Sequence, residues 1–124
     1  MNKKPSAILI VDDDSRNIFA LTLVLKSRGF KCLSAIDGAS ALKMISEKAE
    51  IGVVLLDMMM PGMDGYECIV AIRQLPEHNN LPVIAVTAQA MPGDREKCIA
   101  AGASDYVSKP VNVDVLMEIL TKYL

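Results

Sequence analysis

Five residues able to do chemistry stand where short apolar runs end. Asp12 and Asp13 follow Ala7 to Val11, Asp57 follows Ile51 to Leu56, Thr87 follows Leu81 to Val86, and Lys109 follows Ser104 to Ser108. Three carboxylates brought close together repel, and at an effective dielectric near 20 each pair costs on the order of a few kcal/mol. A divalent cation relieves that repulsion. Oxygen donors without His or Cys favour a hard ion, and magnesium suits such a set because it keeps waters to share with a phosphate. A metal, a nucleophilic carboxylate, a hydroxyl and an ammonium are together the parts needed to move a phosphoryl group onto Asp57. Metal and Lys109 would neutralise the transferring oxygens, Thr87 would donate a hydrogen bond, and an aspartyl phosphate would be the product.

Such a site exists only if the elements carrying these residues bring them together. Runs such as Ile51-Gly52-Val53-Val54-Leu55-Leu56, apolar without polar alternation, read as strands buried on both faces, as in a parallel sheet. The expected strands are Ala7 to Val11, Phe30 to Ile36, Ile51 to Leu56, Leu81 to Val86 and Ser104 to Ser108. Between them, helices are expected after Ser15 or Asp14 as cap, over Ala39 to Lys48, over Gly65 to Leu75, after Pro92-Gly93-Asp94 to about Ala101, and from about Asn112 to Leu124. Asp37-Gly38 reads as a turn, Gly29 and Gly102 as helix stops, and Pro61-Gly62 as the break after Asp57. Five strands alternating with five helices predict an α/β doubly wound parallel sheet with right-handed crossovers. If the first and third strands are central neighbours, the polar strand ends converge on one crevice at the carboxyl edge.

The totals narrow the classes. A length of 124 residues predicts one domain over 1–124, with a polar tail at 1–6. Hydrophobic residues at 52% against 23% charged exclude a disordered chain, and no run is long enough to span a bilayer, so no membrane insertion is expected. No secretory leader is recognisable, and a cytoplasmic location is the expectation. A net charge of −2 and only two Phe, three Tyr and no Trp argue against nucleic acid as a partner. Cys32, Cys68 and Cys98 lack paired metal-site spacing and read as reduced thiols.

Each singled-out residue also has a plainer reading. Asp57 can cap the next helix or end its strand in solvent, and Asp14 reads as a helix cap. Met58, Met59, Met60 and Met63 read as loop anchors rather than a soft copper site. His78, in the polar loop Pro76 to Asn80, reads as solvated, and Tyr106 can simply pack.

In Val11-Asp12-Asp13, Leu56-Asp57-Met58-Met59-Met60-Pro61-Gly62-Met63-Asp64-Gly65, Thr87-Ala88, and Asp105-Tyr106 with Lys109-Pro110, the sequence resembles the receiver domains of two-component response regulators. The match runs from Ala7 to Leu120, with each motif in order at a strand end. The resemblance implies a flavodoxin-like sheet of strand order 2-1-3-4-5. It implies that Asp57 accepts phosphate from a phosphohistidine on a sensor or hybrid histidine kinase, or on a histidine phosphotransfer protein. It further implies Mg2+, with Mn2+ able to substitute, held by Asp13 and Asp57 directly, by Asp12 largely through water, and by the Met59 main-chain carbonyl. Lys109 would hold a phosphoryl oxygen, with the Lys109-Pro110 peptide cis. Thr87 and Tyr106 would be the switch pair, changing the face of fourth helix, fifth strand and fifth helix, which is also a possible homodimer surface. Such a chain is no conventional enzyme; it catalyses its own Mg-dependent aspartyl phosphorylation and dephosphorylation.

Two rival classes leave different marks. An aspartyl-nucleophile phosphatase usually carries a second acid two residues after its nucleophile, where this chain has Met59. A phosphorylation-independent pseudo-receiver typically loses part of the acid pair, the acceptor or the lysine, and all are present here. In relatives Met59 and Gln89 occupy positions that tune phosphoryl lifetime; the first would hinder the hydrolytic water and the second orient it. The loop Thr87 to Asp94 resembles those of receivers attached to hybrid kinases, which feed multistep relays.

Overall fold

The computed structural model describes residues 6–88 and 92–124. In chain order the elements are β1 (Ala7–Val11), α1 (Ser15–Ser27), β2 (Cys32–Ala35), α2 (Gly38–Glu47), β3 (Ile51–Asp57), α3 (Gly65–Gln74), β4 (Val83–Thr87), α4 (Asp94–Ala101), β5 (Asp105–Ser108) and α5 (Val113–Tyr123). The strands form one parallel sheet in the order β2-β1-β3-β4-β5. This is the expected α/β doubly wound architecture. Among the described residues, no helix is long and apolar enough to cross a membrane.

Strand alternation divides the core in two. Leu9, Val11, Val54, Leu56, Val83 and Ala85 face α2, α3 and α4, whereas Ile8, Ile10, Val53, Leu55, Ile84 and Val86 face α1 and α5. Both strand faces are therefore apolar, which is why the runs show no alternation in sequence. The same parity carries past the strand ends. Asp12, Asp57 and Lys109 continue the rows facing α1 and α5, while Thr87 and Tyr106 continue the rows facing α4.

Capping residues fix where the helices start. Asp14, Asp37, Asp64 and Asn112 each accept a main-chain N–H from the first turn of α1, α2, α3 and α5. Asp37-Gly38, expected as a turn, thus forms the start of α2. The second strand is shorter than the expected Phe30 to Ile36. Phe30 donates its N–H to Leu25 at the end of α1, and Ile36 lies beyond the last rung with β1, Val11 to Ala35. Phe30 still packs on the α1 and α5 core, so its apolar character reflects burial without a ladder. The fourth strand likewise begins at Val83, since Leu81 closes a turn onto His78 and Pro82 has no N–H to give. Gly102 ends α4 at φ 119°, a conformation that favours glycine.

Candidate functional site

The register of β1, β3, β4 and β5 sets the site. Val11 pairs with Leu56, Asp57 with Val86, and Thr87 with Ser108, so the polar residues that end these strands lie nearly abreast. Main-chain bonds extend the ladder by one residue. Met58 donates to the Val86 carbonyl at 2.9 Å, and Lys109 donates to the Thr87 carbonyl at 2.7 Å. The Lys109-Pro110 peptide is cis.

Asp57 is only 4% exposed, and Asp12 and Thr87 are also buried, while Asp13 is open to solvent. One carboxylate oxygen from each of Asp12, Asp13 and Asp57 falls within 4.8 Å of the others. Lys109 Nζ lies 3.3 Å from Asp12 Oδ2 and 3.6 Å from Asp57 Oδ2. Burial pushes the Asp57 carboxyl above its ordinary value, an effect the Met59 N–H opposes, the Asp12 charge adds to and Lys109 again opposes. Burial works against the charge on Lys109, but the two carboxylates outweigh it and raise its pKa. Three ionised carboxylates against one ammonium would leave the cluster with an excess of two negative charges. Three oxygen donors converging on one partly open point, without nitrogen or sulfur, suit a hard divalent cation. The residues present fit magnesium.

The turn after Asp57 is shaped by packing. Met59 donates its N–H to Asp57 Oδ1 at 3.0 Å and is itself 54% exposed. Met58 and Met60 are buried, and Met63 packs partly against the same core, so these three thioethers anchor the loop as expected, whereas the exposed Met59 does not. Gly65 permits this anchoring, since a Cβ there would lie 2.5 Å from both Cα and Sδ of Met58. Gln89 lies outside the described residues, as does most of the 1–6 tail.

Of the residues singled out from the sequence, the structure brings Asp12, Asp13, Asp57 and Lys109 into one cluster and buries Thr87 at the adjoining strand end, whereas His78 lies apart. That side chain lies in the connection between α3 and β4, at the amino end of the strands, opposite Asp57. Asp14 caps α1 through Arg16, whose side chain and N–H hold its carboxyl below the ordinary value. Tyr106 is half-buried against the α4 side of the core.

Three polar residues of the sequence showed no signal of what they do. Asn17 Nδ2 donates to Asp12 Oδ2 at 2.5 Å, and Asp14 N donates to Asp12 Oδ1 at 2.9 Å, so Asp12 is oriented from both oxygens. Asp94 receives the Tyr106 hydroxyl at 3.4 Å. Arg73, far from the site, donates to the carbonyls of Gly102 and Leu81 and to Ser104 Oγ. An asparagine in the first turn of a helix carries no motif that would have flagged it.

Comparison with known proteins gives a consistent answer. The family model described as the response regulator receiver domain matches residues 8–121. The sensor histidine kinase RcsC of Escherichia coli K12 is 44% identical over 116 residues, covering 94% of this chain and 12% of that protein. The chain therefore spans about an eighth of the length of such a relative. A solved receiver domain of a sensor histidine kinase from Pseudomonas aeruginosa PAO1, with a magnesium ion coordinated in its active site cleft, superposes with a TM-score of 0.85 at 33% identity, covering 97% of this chain and 98% of that one. The receiver domain of Ssk1 from Saccharomyces cerevisiae, solved with the histidine phosphotransfer signalling protein Ypd1, gives 0.86 at 25% identity over 98% and 91% of the two chains. With a family match across nearly its whole length and the family's strand order in its sheet, the chain belongs to the response regulator receiver domains.

Proposed function

We propose that this domain is a phosphorylation-driven switch in a two-component or multistep relay, with Asp57 the residue that takes the phosphoryl group. The observation that carries the reading is the position of Asp57: buried at the carboxyl end of β3, with Lys109 at 3.6 Å and the Asp12 and Asp13 carboxylates converging on the same point. Asp12, Asp13, Asp57 and the Met59 carbonyl would hold Mg2+, which when bound supplies positive charge to the transferring phosphoryl oxygens. Mn2+ has the same preference for oxygen and would serve in its place.

The chain's own residues do the rest. An Asp57 oxygen attacks the phosphorus of a phosphohistidine; the new P–O bond forms as the P–N bond breaks and the imidazole leaves with its electron pair. Lys109 Nζ draws onto a phosphoryl oxygen and gives up part of its hold on Asp12 and Asp57. The Thr87 hydroxyl bonds another, and Tyr106 turns into the space that Thr87 vacates. The surface of α4, β5 and α5 then changes, and a homodimer through that surface is one way the change would be read. The acceptor carboxylate is one that the domain phosphorylates and dephosphorylates with its own groups.

The donor is a sensor or hybrid histidine kinase, or a histidine phosphotransfer protein of the kind that the Ssk1 receiver binds. Similarity to RcsC, a sensor histidine kinase, and to a hybrid signal transduction histidine kinase supports a place in a hybrid-kinase relay. A groove between α1 and the loop after β5, lined by Ala20, Leu21, Val24, Lys109 and Pro110, opens beside the site, and Phe19 and Leu23 expose apolar side chains on the same helix. These supply a surface against which a helical donor would seat. We place the domain in the cytoplasm on the same reading.

Intact mass after incubation with a small acyl phosphate, with and without magnesium and beside Asp57→Asn, tests the reading. One phosphoryl group, added only with metal and only to the parent chain, is the expected result. No adduct despite magnesium binding and a trap for short-lived product would instead favour the pseudo-receiver.

A further inference from the structure

Asp94 opens α4 directly after Gly93, whose φ of 83° turns the chain into the helix. Its carboxylate receives two phenols from different elements. The Tyr106 hydroxyl of β5 reaches Oδ2 at 3.4 Å, and the Tyr66 hydroxyl of α3 reaches Oδ1 at 3.5 Å. Tyr66 is fixed by further contacts: its hydroxyl lies 3.8 Å from Cys98 Sγ, and Lys97 Nζ sits 5.0 Å from its ring centroid. Burial, reinforced by Asp94 and Cys98, raises both phenols above the ordinary tyrosine value, so both remain donors at neutral pH.

We propose that Asp94 is a positioning residue of the switch, one carboxylate that ties Tyr106 on β5 to Tyr66 on α3. When Tyr106 turns toward Thr87, Asp94 loses the donor on Oδ2, and the first turn of α4 then shifts away from Tyr66 and gives up the bond on Oδ1 as well. The response then extends from the surface of α4, β5 and α5 to α3. This rests on the reading of Tyr106 as the switch tyrosine. Because the bridge is made in the unphosphorylated arrangement, it opposes phosphorylation, and by linkage its removal must favour whatever occupies the phosphoryl site. An interaction that only held the fold together would not have that sign.

The test uses the full chain, beryllofluoride with magnesium as the phosphoryl mimic, and tyrosine-labelled NMR. Tyr66→Phe keeps the ring and removes the bond, and should tighten beryllofluoride binding about threefold to tenfold, the range of an ordinary net hydrogen bond, as suits one 3.5 Å long. Asp94→Ala should do the same, and the double variant should bind no tighter than the tighter single one, since both break a single unit. Asp94→Asn, which leaves the start of α4 sterically intact, should fall between parent and Asp94→Ala. In the parent the Tyr66 and Tyr106 signals should move together on binding; in Asp94→Ala that of Tyr106 should still move and that of Tyr66 should largely stay. Unchanged or weaker binding in Tyr66→Phe, or a Tyr66 signal that moves as far in Asp94→Ala as in the parent, overturns the bridge and leaves the switch reading standing. A Tyr106 signal that ignores bound beryllofluoride in the parent overturns both.

Discussion

Lys109 Nζ lies 3.6 Å from Asp57 Oδ2, across the gap between two strands that are not neighbours, β5 and β3. The ammonium is thus the standing counterion of the carboxylates before any metal or phosphoryl group arrives, sharing itself with Asp12 at 3.3 Å. Whatever else enters the site must compete with it or recruit it.

Two opposite effects should follow from Lys109→Ala. Magnesium affinity should rise about threefold to tenfold, because the carboxylates lose a competing cation. Labelling by a small acyl phosphate should fall by about 100-fold or more, because one fixed charge on the transferring oxygens is gone. Calorimetry for the metal and intact mass for the adduct measure the two separately. A parallel loss of both would mean that the lysine merely holds the site in shape.

Asp57 should destabilise the metal-free fold at neutral pH. Its carboxyl is raised, first by burial, so the folded state keeps a proton that the unfolded state has already released. Stability therefore falls as pH rises from the ordinary carboxylate value to the raised one, and stays lower above it. In chelator, Asp57→Asn should be more stable than the parent at pH 7 by about 1 kcal/mol, or roughly 3–6 °C in Tm. The difference should shrink at low pH and on adding magnesium to the parent. Equal melting curves at pH 7 in chelator would show that the buried charge is already compensated.

How much of this was legible in the sequence depends on how far apart the partners are. Asp12, Asp57 and Lys109 could be assigned because each ends an apolar run, and parity then turns all three toward α1 and α5. Asn17 and Asp94 could not, although both touch assigned residues: their partners are fixed by helix orientation, which composition does not encode. Strand boundaries erred where burial and pairing part company. Phe30 is apolar because it covers the core below β2, and Leu81 because it packs beside α3, yet neither sits in a ladder.

Met59 is half exposed while its N–H holds Asp57 Oδ1. On the proposed reading, water that hydrolyses an aspartyl phosphate would approach past this thioether, which is at most a weak hydrogen-bond acceptor. Met59→Asn keeps the main-chain contact and adds an amide able to orient that water. Dephosphorylation should accelerate about threefold or more, measured as phosphate release after the donor is removed. An unchanged decay rate would remove Met59 as the barrier.

Arg73 separates stability from chemistry. Its guanidinium reaches Gly102 O at 3.0 and 2.7 Å, Ser104 Oγ at 3.4 Å and the Leu81 carbonyl, joining α3 to the end of α4 and to the entrances of β4 and β5. Burial lowers its pKa, but guanidinium stays charged throughout the accessible range, so those carbonyls always see a cation. Arg73→Met keeps much of the aliphatic stem and strands at least two part-buried carbonyls. The cost should be about 2–4 kcal/mol in denaturant unfolding. These contacts lie at the amino end of the strands, so phosphoryl labelling of the folded variant should stay within about twofold of the parent. A labelling defect larger than that, at temperatures where the variant is fully folded, would show that the end of α4 held by Arg73 feeds back on the site at the other edge of the sheet.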